Sequence, residues 1–286
     1  MSTKLPIRRI GVVGAGTMGH GIAQVFAQAG FEVCLQDVRT NALDRATSNI
    51  TRSLDKLVAK DTLAAKDAEL ARLRLTTTTD LDALSNVNYV IEAIVEDVTA
   101  KQDLFRTIDT LVAPDVILAS NTSAIAINTI ASATTRPPCV LGMHFMNPVP
   151  LMPLVELIRG QATSVETVHL SIELIKIIGK TPVEAADRPG FIANRVLMPM
   201  INEAIYALME EVGSAEAIDT VMKVGMNHPM GPLALADLIG LDVCLDIMRV
   251  LHEGFGNDKY QPCPLLCQMV EAGTLGRKTG SGFYKY

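Results

Sequence analysis

The stretch Gly14-Ala15-Gly16-Thr17-Met18-Gly19 is the feature that most limits how this chain can fold. An apolar segment ending at Val13 precedes it, and residues 20–29 after it have the composition of a helix. Glycines at this spacing allow a tight turn, a close approach of the backbone to a phosphate, and close packing of helix on strand. The helix N-terminus then offers unpaired N–H groups to a pyrophosphate. The stretch therefore predicts a nucleotide-binding strand–turn–helix unit.

An acidic residue at the end of the next strand narrows the choice of nucleotide. Residues 32–36 read as that strand, and Asp37 follows it directly. A carboxylate there can bond the adenosine ribose hydroxyls and would repel a 2′-phosphate, so NAD is favoured over NADP. Arg39 nearby weakens that preference slightly. We therefore predict NAD as the cofactor, bound by Gly14, Gly16, Thr17, Met18, Gly19 and Asp37.

The order of segments along the chain predicts two domains. Strands and helices alternate up to Arg188-Pro189-Gly190, which indicates an α/β fold with a Rossmann-like, doubly wound sheet. Residues 41–58 and 64–72 add a helical arm that is longer than a crossover needs. We expect an NAD-binding domain over residues 1–187 and a smaller all-α domain over 188–286, for substrate binding and dimerisation. The apolar first helix of the second domain fits a dimer interface or simple core burial about equally.

Composition and charge exclude several classes of protein. The net charge of −6 disfavours a general nucleic-acid-binding surface. The apolar runs are too short and interrupted to span a membrane, and the first ten residues resemble neither a signal peptide nor a transit peptide. The five cysteines contain no CxxC pair and are expected to be reduced, with no metal site. We expect a cytoplasmic homodimer that binds neither nucleic acid nor membranes.

Two residues on consecutive predicted strands are candidates for proton transfer. His144 closes one strand and Glu156 lies in the next, with a proline-rich turn between them. An imidazole is a suitable base for a hydroxyl proton, and a carboxylate on its other nitrogen would fix the tautomer. A lone histidine is more often structural, so spacing alone leaves both interpretations open.

Two further polar positions have an ordinary structural interpretation beside the functional one. Ser120-Asn121-Thr122-Ser123 follows an apolar strand, where ligands bind in such sheets. Its hydroxyls would also cap a helix predicted over residues 125–133. Asn194 begins the first helix of the second domain and draws interest through its position at the domain junction.

Taken together, the motifs resemble the 3-hydroxyacyl-CoA dehydrogenase family, in register over essentially the whole chain. Within that family the chain is similar to the stand-alone bacterial 3-hydroxybutyryl-CoA dehydrogenases. The residues that carry the resemblance are the glycine turn, Glu92-Ala93-Ile94-Val95-Glu96, Ser120-Asn121-Thr122-Ser123, His144-Phe145-Met146-Asn147-Pro148, Glu156, Arg188-Pro189-Gly190-Phe191-Ile192-Ala193-Asn194-Arg195 and Gly276-Arg277-Lys278-Thr279-Gly280-Ser281-Gly282-Phe283-Tyr284. Met146 stands where many relatives have Phe, a packing change next to the expected base.

The resemblance implies a role for each matching residue. His144 would be the general base paired with Glu156, while Ser123 and Asn194 would hold the substrate oxygens. Further cofactor contacts would come from Glu96, Lys101, Asn147 and Lys278. Ser53 and Lys60 match positions that touch coenzyme A, and they lie on the helical arm. Lys56 and Lys60 give the arm a basic patch on an otherwise acidic chain, which suits the phosphates of an acyl-CoA, while a solvated helix face is the ordinary interpretation of Lys56.

The expected reaction is the reversible oxidation of (3S)-3-hydroxyacyl-CoA, with 3-hydroxybutyryl-CoA the expected short-chain substrate, to 3-oxoacyl-CoA. One alternative is an NAD-dependent dehydrogenase of a free hydroxy acid or sugar acid on the same scaffold. Another is a non-catalytic NAD-binding protein. The set His144, Glu156, Ser123 and Asn194 argues against the latter, because a binder has no need of a base.

Overall fold

The computed structural model describes residues 7–286, which form two compact units divided between Asp187 and Arg188. The first six residues, which belong to the segment expected to carry no leader peptide, lie outside the described part of the chain. In that described part, no helix combines the length and the apolar character that crossing a membrane requires.

The first unit is built on a sheet of eight strands among the described residues, in the order β3-β2-β1-β4-β5-β6-β7-β8. The strands are β1 Arg9–Val13, β2 Glu32–Gln36, β3 Leu75–Thr78, β4 Tyr89–Glu92, β5 Ile117–Ser120, β6 Val140–Phe145, β7 Leu154–Arg159 and β8 Thr181–Ala186. Neighbouring strands in this described sheet are parallel, except that β6 and β7 run antiparallel. The predicted doubly wound sheet is confirmed.

Helices cover the sheet, and two of them form the predicted arm. The helices of this unit are α1 Thr17–Gln28, α2 Thr40–Ala59, α3 Ala65–Leu73, α4 Val98–Leu111, α5 Ile127–Ala131 and α6 Val165–Ile177. α2 buries one apolar face that includes Leu43, Ile50 and Leu54. Arg72 of α3 pairs with Asp55 of α2 at 2.5 Å, which ties the two helices of the arm together.

The helix after β5 is shorter than the predicted 125–133 and has a different cap. α5 begins at Ile127, where the carboxylate of Asp187 accepts the N–H groups of Ile127 and Asn128 at 2.9 and 2.8 Å. The hydroxyl of Thr122 instead accepts the N–H of Ile125 at 2.9 Å, inside the preceding loop. Caps of this kind contribute about 1 kcal/mol. This cap comes from a residue about sixty positions away, which local spacing cannot predict.

The second unit is helical, as predicted. Its helices are α7 Ala193–Met209, α8 Ala215–Thr220, α9 Pro232–Ile239, α10 Leu241–Phe255 and α11 Pro264–Glu271. Residues 215–225 divide into α8 and a π-helical turn, Val221–Gly225. Met198, Ile201 and Ile205 of α7 are buried in the core of this unit, so core burial accounts for that part of its apolar surface.

Candidate active site

The glycine turn lies between β1 and α1, and steric limits explain its residues. Gly14 has a φ of +98°, and a Cβ placed on it would lie 2.5 Å from the carbonyl oxygen of Ala93. By contrast, a Cβ on Gly16 would meet no atom of the described residues within 4 Å. Gly16 is also the N-cap residue of α1. The turn thus combines a tightly packed first glycine with open space before a helix N-terminus, an arrangement that fits a pyrophosphate.

Asp37 is directed toward this turn. Its side chain accepts the N–H of Ala15 at 2.9 Å through one carboxylate oxygen and the N–H of Arg39 at 2.9 Å through the other. The Arg39 side chain lies 3.5 Å away as an ion pair. The carboxylate is therefore fixed beside the glycine turn, where a nucleotide's ribose hydroxyls would need an acceptor. The residues present fit a dinucleotide with a free 2′-hydroxyl.

Thr17, Met18 and Gly19 complete the turn. Thr17 is exposed and Met18 half-buried, while Gly19 packs against the backbone of Gly14 so closely that no Cβ would fit. The first turn of α1 carries no acidic side chain that would oppose an anion.

The antiparallel pairing of β6 and β7 brings the candidate base and carboxylate together. His144 and Glu156 are direct partners in the strand register, and His144 Nδ1 lies 2.9 Å from Glu156 Oε2. Both residues are buried, and Glu156 is only 1% exposed. Because the carboxylate accepts a proton-bearing Nδ1, a neutral His144 ring carries its lone pair on Nε2. His144 lies within β6, which continues to Phe145, rather than at its end.

Ser123 faces that second ring nitrogen. Its Oγ lies 3.1 Å from His144 Nε2, so the loop after β5 and the β6–β7 pair meet at one point. A hydroxyl here can donate to the lone pair on Nε2. The three side chains form a chain from carboxylate through imidazole to hydroxyl, which is the arrangement expected of an oriented base.

Two of the expected cofactor residues lie beside the Ser123 loop. Glu96 accepts hydrogen bonds from that loop, and Lys101 of α4 is 1% exposed, with its ammonium 2.5 Å from a Glu92 carboxylate oxygen. Glu92, fully buried at the end of β4, was not predicted as a site residue. In the sequence it was marked by its position at a strand's carboxyl end and by its place in the Glu92–Glu96 stretch that carries the family resemblance.

The remaining predicted residues are distributed over both units. Asn147 lies in the β6–β7 connection and precedes a cis peptide bond to Pro148. Ser53, half-buried on α2, and Lys60, the exposed C-cap of that helix, both lie on the arm. In the second unit Asn194 is buried in the first turn of α7 and Lys278 pairs with Asp242.

Lys180 is a second residue that sequence reasoning missed. Its buried ammonium donates to the carbonyl oxygens of Val149 and Met152 at 2.7 and 2.6 Å. Burial lowers the pKa of Lys180 from its usual value. The contact fixes the turn between β6 and β7, and therefore the connection between the strands of His144 and Glu156.

Comparison with known sequences decides the family. Residues 9–188 match the family described as 3-hydroxyacyl-CoA dehydrogenase, NAD binding domain, and residues 190–286 match 3-hydroxyacyl-CoA dehydrogenase, C-terminal domain. The chain belongs to the 3-hydroxyacyl-CoA dehydrogenase family. The fold and the family resemblance inferred from the motifs are thereby confirmed, and the chain is an NAD-dependent dehydrogenase of this family.

Individual relatives cover almost the entire chain. It is 56% identical over 279 residues to the "Probable 3-hydroxybutyryl-CoA dehydrogenase" of Deinococcus radiodurans, which covers 97% of this chain and 100% of that protein. It is 51% identical to the 3-hydroxybutyryl-CoA dehydrogenase of Bradyrhizobium diazoefficiens, covering 98% and 96% of the two chains. The crystal structure of (S)-3-hydroxybutyryl-CoA dehydrogenase from Ralstonia eutropha superposes with a TM-score of 0.95 at 48% identity, covering 98% and 99%.

Proposed function

We propose that this protein catalyses the reversible, NAD-dependent oxidation of (3S)-3-hydroxyacyl-CoA to 3-oxoacyl-CoA, with 3-hydroxybutyryl-CoA as the substrate. The observation that carries the proposal is the buried His144–Glu156 pair, whose outer ring nitrogen faces Ser123. The names of its relatives, 3-hydroxybutyryl-CoA dehydrogenases of similar length, support the choice of acyl group.

The proposed chemistry assigns one task to each side chain. Nε2 of His144 accepts the proton of the C3 hydroxyl, and the carboxylate of Glu156 stabilises the resulting imidazolium. Ser123 Oγ and the Asn194 amide hold the substrate oxygens. In the reverse direction the protonated Nε2 returns its proton to the C3 oxygen. NAD, when bound, would supply the hydride acceptor for carbon 3, and NADH would supply the donor in the reverse direction.

The proposed cofactor contacts begin at the glycine turn. Gly14, Gly16, Thr17, Met18 and Gly19 would receive the pyrophosphate, and Asp37 would accept the adenosine ribose hydroxyls. The second group of proposed contacts consists of Glu96, Lys101, Asn147 and Lys278. The fixed, buried carboxylate of Asp37 supports NAD over NADP, since a 2′-phosphate would meet like charge there.

The proposed coenzyme A contacts lie on the arm. Lys60 is exposed at the end of α2 and Ser53 lies about two turns before it, so both are available to a ligand's phosphates. The homodimer and the cytoplasmic location stay predictions.

A spectrophotometric assay tests the proposal. NADH should be oxidised in the presence of acetoacetyl-CoA, and (S)-3-hydroxybutyryl-CoA should reduce NAD while its (R) isomer does not. Equal rates with free acetoacetate would favour the dehydrogenase of a free hydroxy acid. Absence of NADH oxidation above background with acetoacetyl-CoA would contradict the proposal and favour the non-catalytic NAD-binding alternative.

A further inference from the structure

The fully buried carboxylate of Glu92 lies on a strand that β5 separates from the strand of the proposed base. Glu92 ends β4 with 0% of its surface exposed. One of its carboxylate oxygens accepts the N–H of Ile94 at 2.7 Å and the ammonium of Lys101 at 2.5 Å. The other oxygen accepts the hydroxyl of Ser120 at 2.6 Å. The proposed reaction assigns Glu92 no task, although a charge buried this deeply is costly to keep.

Lys101 is the link from Glu92 toward the site. Its side chain is 1% exposed, and its ammonium lies between the carboxylate of Glu92 and that of Glu96, 3.3 Å from the latter. Removing one partner of a buried ion pair leaves the other charge uncompensated. Glu92 therefore holds the ammonium of Lys101 in place beside Glu96.

Glu96 in turn holds the loop that carries Ser123. One of its carboxylate oxygens accepts the Thr122 hydroxyl at 2.5 Å and the N–H groups of Ser123 and Ala124 at 2.9 and 3.1 Å. Three donors on consecutive residues thus converge on one oxygen. At the far side of the same loop, Ser123 Oγ lies 3.1 Å from His144 Nε2. The orientation of Ser123 depends on where Glu96 is held.

We propose that Glu92, acting with Lys101, is a positioning residue that sets the orientation of Ser123 toward His144. It acts through Glu96 and contacts neither the proposed base nor its hydroxyl partner. The effect of Glu92 on turnover rests on the proposed function, because that function gives Ser123 and His144 their roles. The effect of Glu92 on the orientation of Ser123 is independent of the proposed function.

The effect of Glu92 on the orientation of Ser123 toward His144 is tested on the protein without substrate or cofactor. Glu92→Gln keeps the shape of the side chain and removes the charge that holds Lys101. The ring signals of His144, identified by their absence in His144→Gln, are followed by NMR in protein with ¹⁵N-labelled histidine. Glu92→Gln should shift these signals in the same direction as Ser123→Ala. Tyr89 lies on the same strand as Glu92, and Tyr89→Phe, which removes its buried hydrogen bond to Ser171 of α6, should leave the signals in place.

Unchanged His144 signals in Glu92→Gln would overturn the proposal, whatever the activity of the enzyme. If Glu92→Gln does not fold, the variant Glu92→Gln/Lys101→Met removes both charges together. It is judged by the same criterion, because it also releases Glu96.

The effect of Glu92 on turnover is tested by a double-mutant cycle, with kcat measured on acetoacetyl-CoA and NADH. Glu92→Gln should lower kcat about tenfold, since small displacements of a positioned group reduce rates strongly. In the Ser123→Ala background the same change should alter kcat less than twofold, because Ser123 is then no longer there to be oriented. A merely structural role predicts a lower Tm with equal effects in the two backgrounds, and that result would contradict the proposal. A wild-type enzyme inactive on acyl-CoA would refute the proposed function, while the NMR result would still stand.

Discussion

The glycine turn and the His144–Glu156 pair belong to the same unit but are built in opposite ways. At the turn the backbone is proposed to bind the cofactor, and an added carbon at Gly14 would collide with Ala93. At the pair, two side chains on antiparallel strands, twelve positions apart in the chain, are proposed to carry out the proton transfer. Atoms added at the turn are therefore expected to lower the affinity for the cofactor. Changes of functional group at the pair are expected to lower kcat.

The largest expected effect comes from the pair. His144→Gln keeps a polar side chain on β6 but removes the base, so kcat should fall by about 10²–10⁴-fold. NADH affinity, measured by fluorescence titration, should stay close to that of the wild type. The exposed His169 on α6 provides the matched control, because His169→Gln should change neither quantity. Turnover within a few-fold of wild type in His144→Gln would remove the proposed role.

Glu156→Gln tests the role of the carboxylate in the His144–Glu156 pair. The neutral amide can still accept a hydrogen bond from Nδ1–H through its oxygen, but it has no charge to stabilise the imidazolium, so kcat should fall by about 10²-fold. The KM for NADH should change little, since Glu156 lies away from the glycine turn's hydrogen bonds. Steady-state kinetics with acetoacetyl-CoA measure both constants. A raised KM with an unchanged kcat would show that this carboxylate serves binding instead.

Gly14→Ala addresses the other region. A Cβ at a φ of +98° is strained, and this one lies 2.5 Å from the Ala93 carbonyl oxygen, so the turn must shift. NADH affinity should weaken by about tenfold or more, which corresponds to about 1.4 kcal/mol. Gly30 is the matched control, with a φ of +100° and no described atom within 4 Å of an added Cβ. Gly30→Ala should lower stability while sparing NADH affinity. Equal losses of affinity in the two variants would show that backbone strain, not the turn, is responsible.

The smallest expected effect lies on the arm, outside both regions. Lys60→Glu should raise the KM for acetoacetyl-CoA about two- to fivefold, because exposed ion pairs contribute about 0.2–1 kcal/mol. The KM for NADH and the rate at saturation should not change. Lys66→Glu on α3 alters an exposed lysine of the same arm and should have no such effect. A rise in KM that is equal in the two variants would point to net charge rather than to a coenzyme A contact.

The same contrast explains how much could be predicted from sequence. The turn is local, so its residues, the following strand and the fold around them could be predicted, and the fold is confirmed. His144 and Glu156 were selected as candidates because one turn separates their strands, and their roles stay predictions. The cap of α5 by Asp187, the hydrogen bond of Ser120 to Glu92 and the burial of Lys180 against Val149 join segments that are 60, 28 and 31 positions apart in the chain. No spacing rule encodes such contacts.

The most direct test of this division of labour is the initial rate with acetoacetyl-CoA as the NADH concentration rises, measured in Gly14→Ala and His144→Gln. The rate of Gly14→Ala should climb toward that of the wild type, because its defect is in binding. The rate of His144→Gln should stay low at every NADH concentration. A His144→Gln rate that recovers with NADH, or a Gly14→Ala rate that stays low at saturation, would contradict this division of labour.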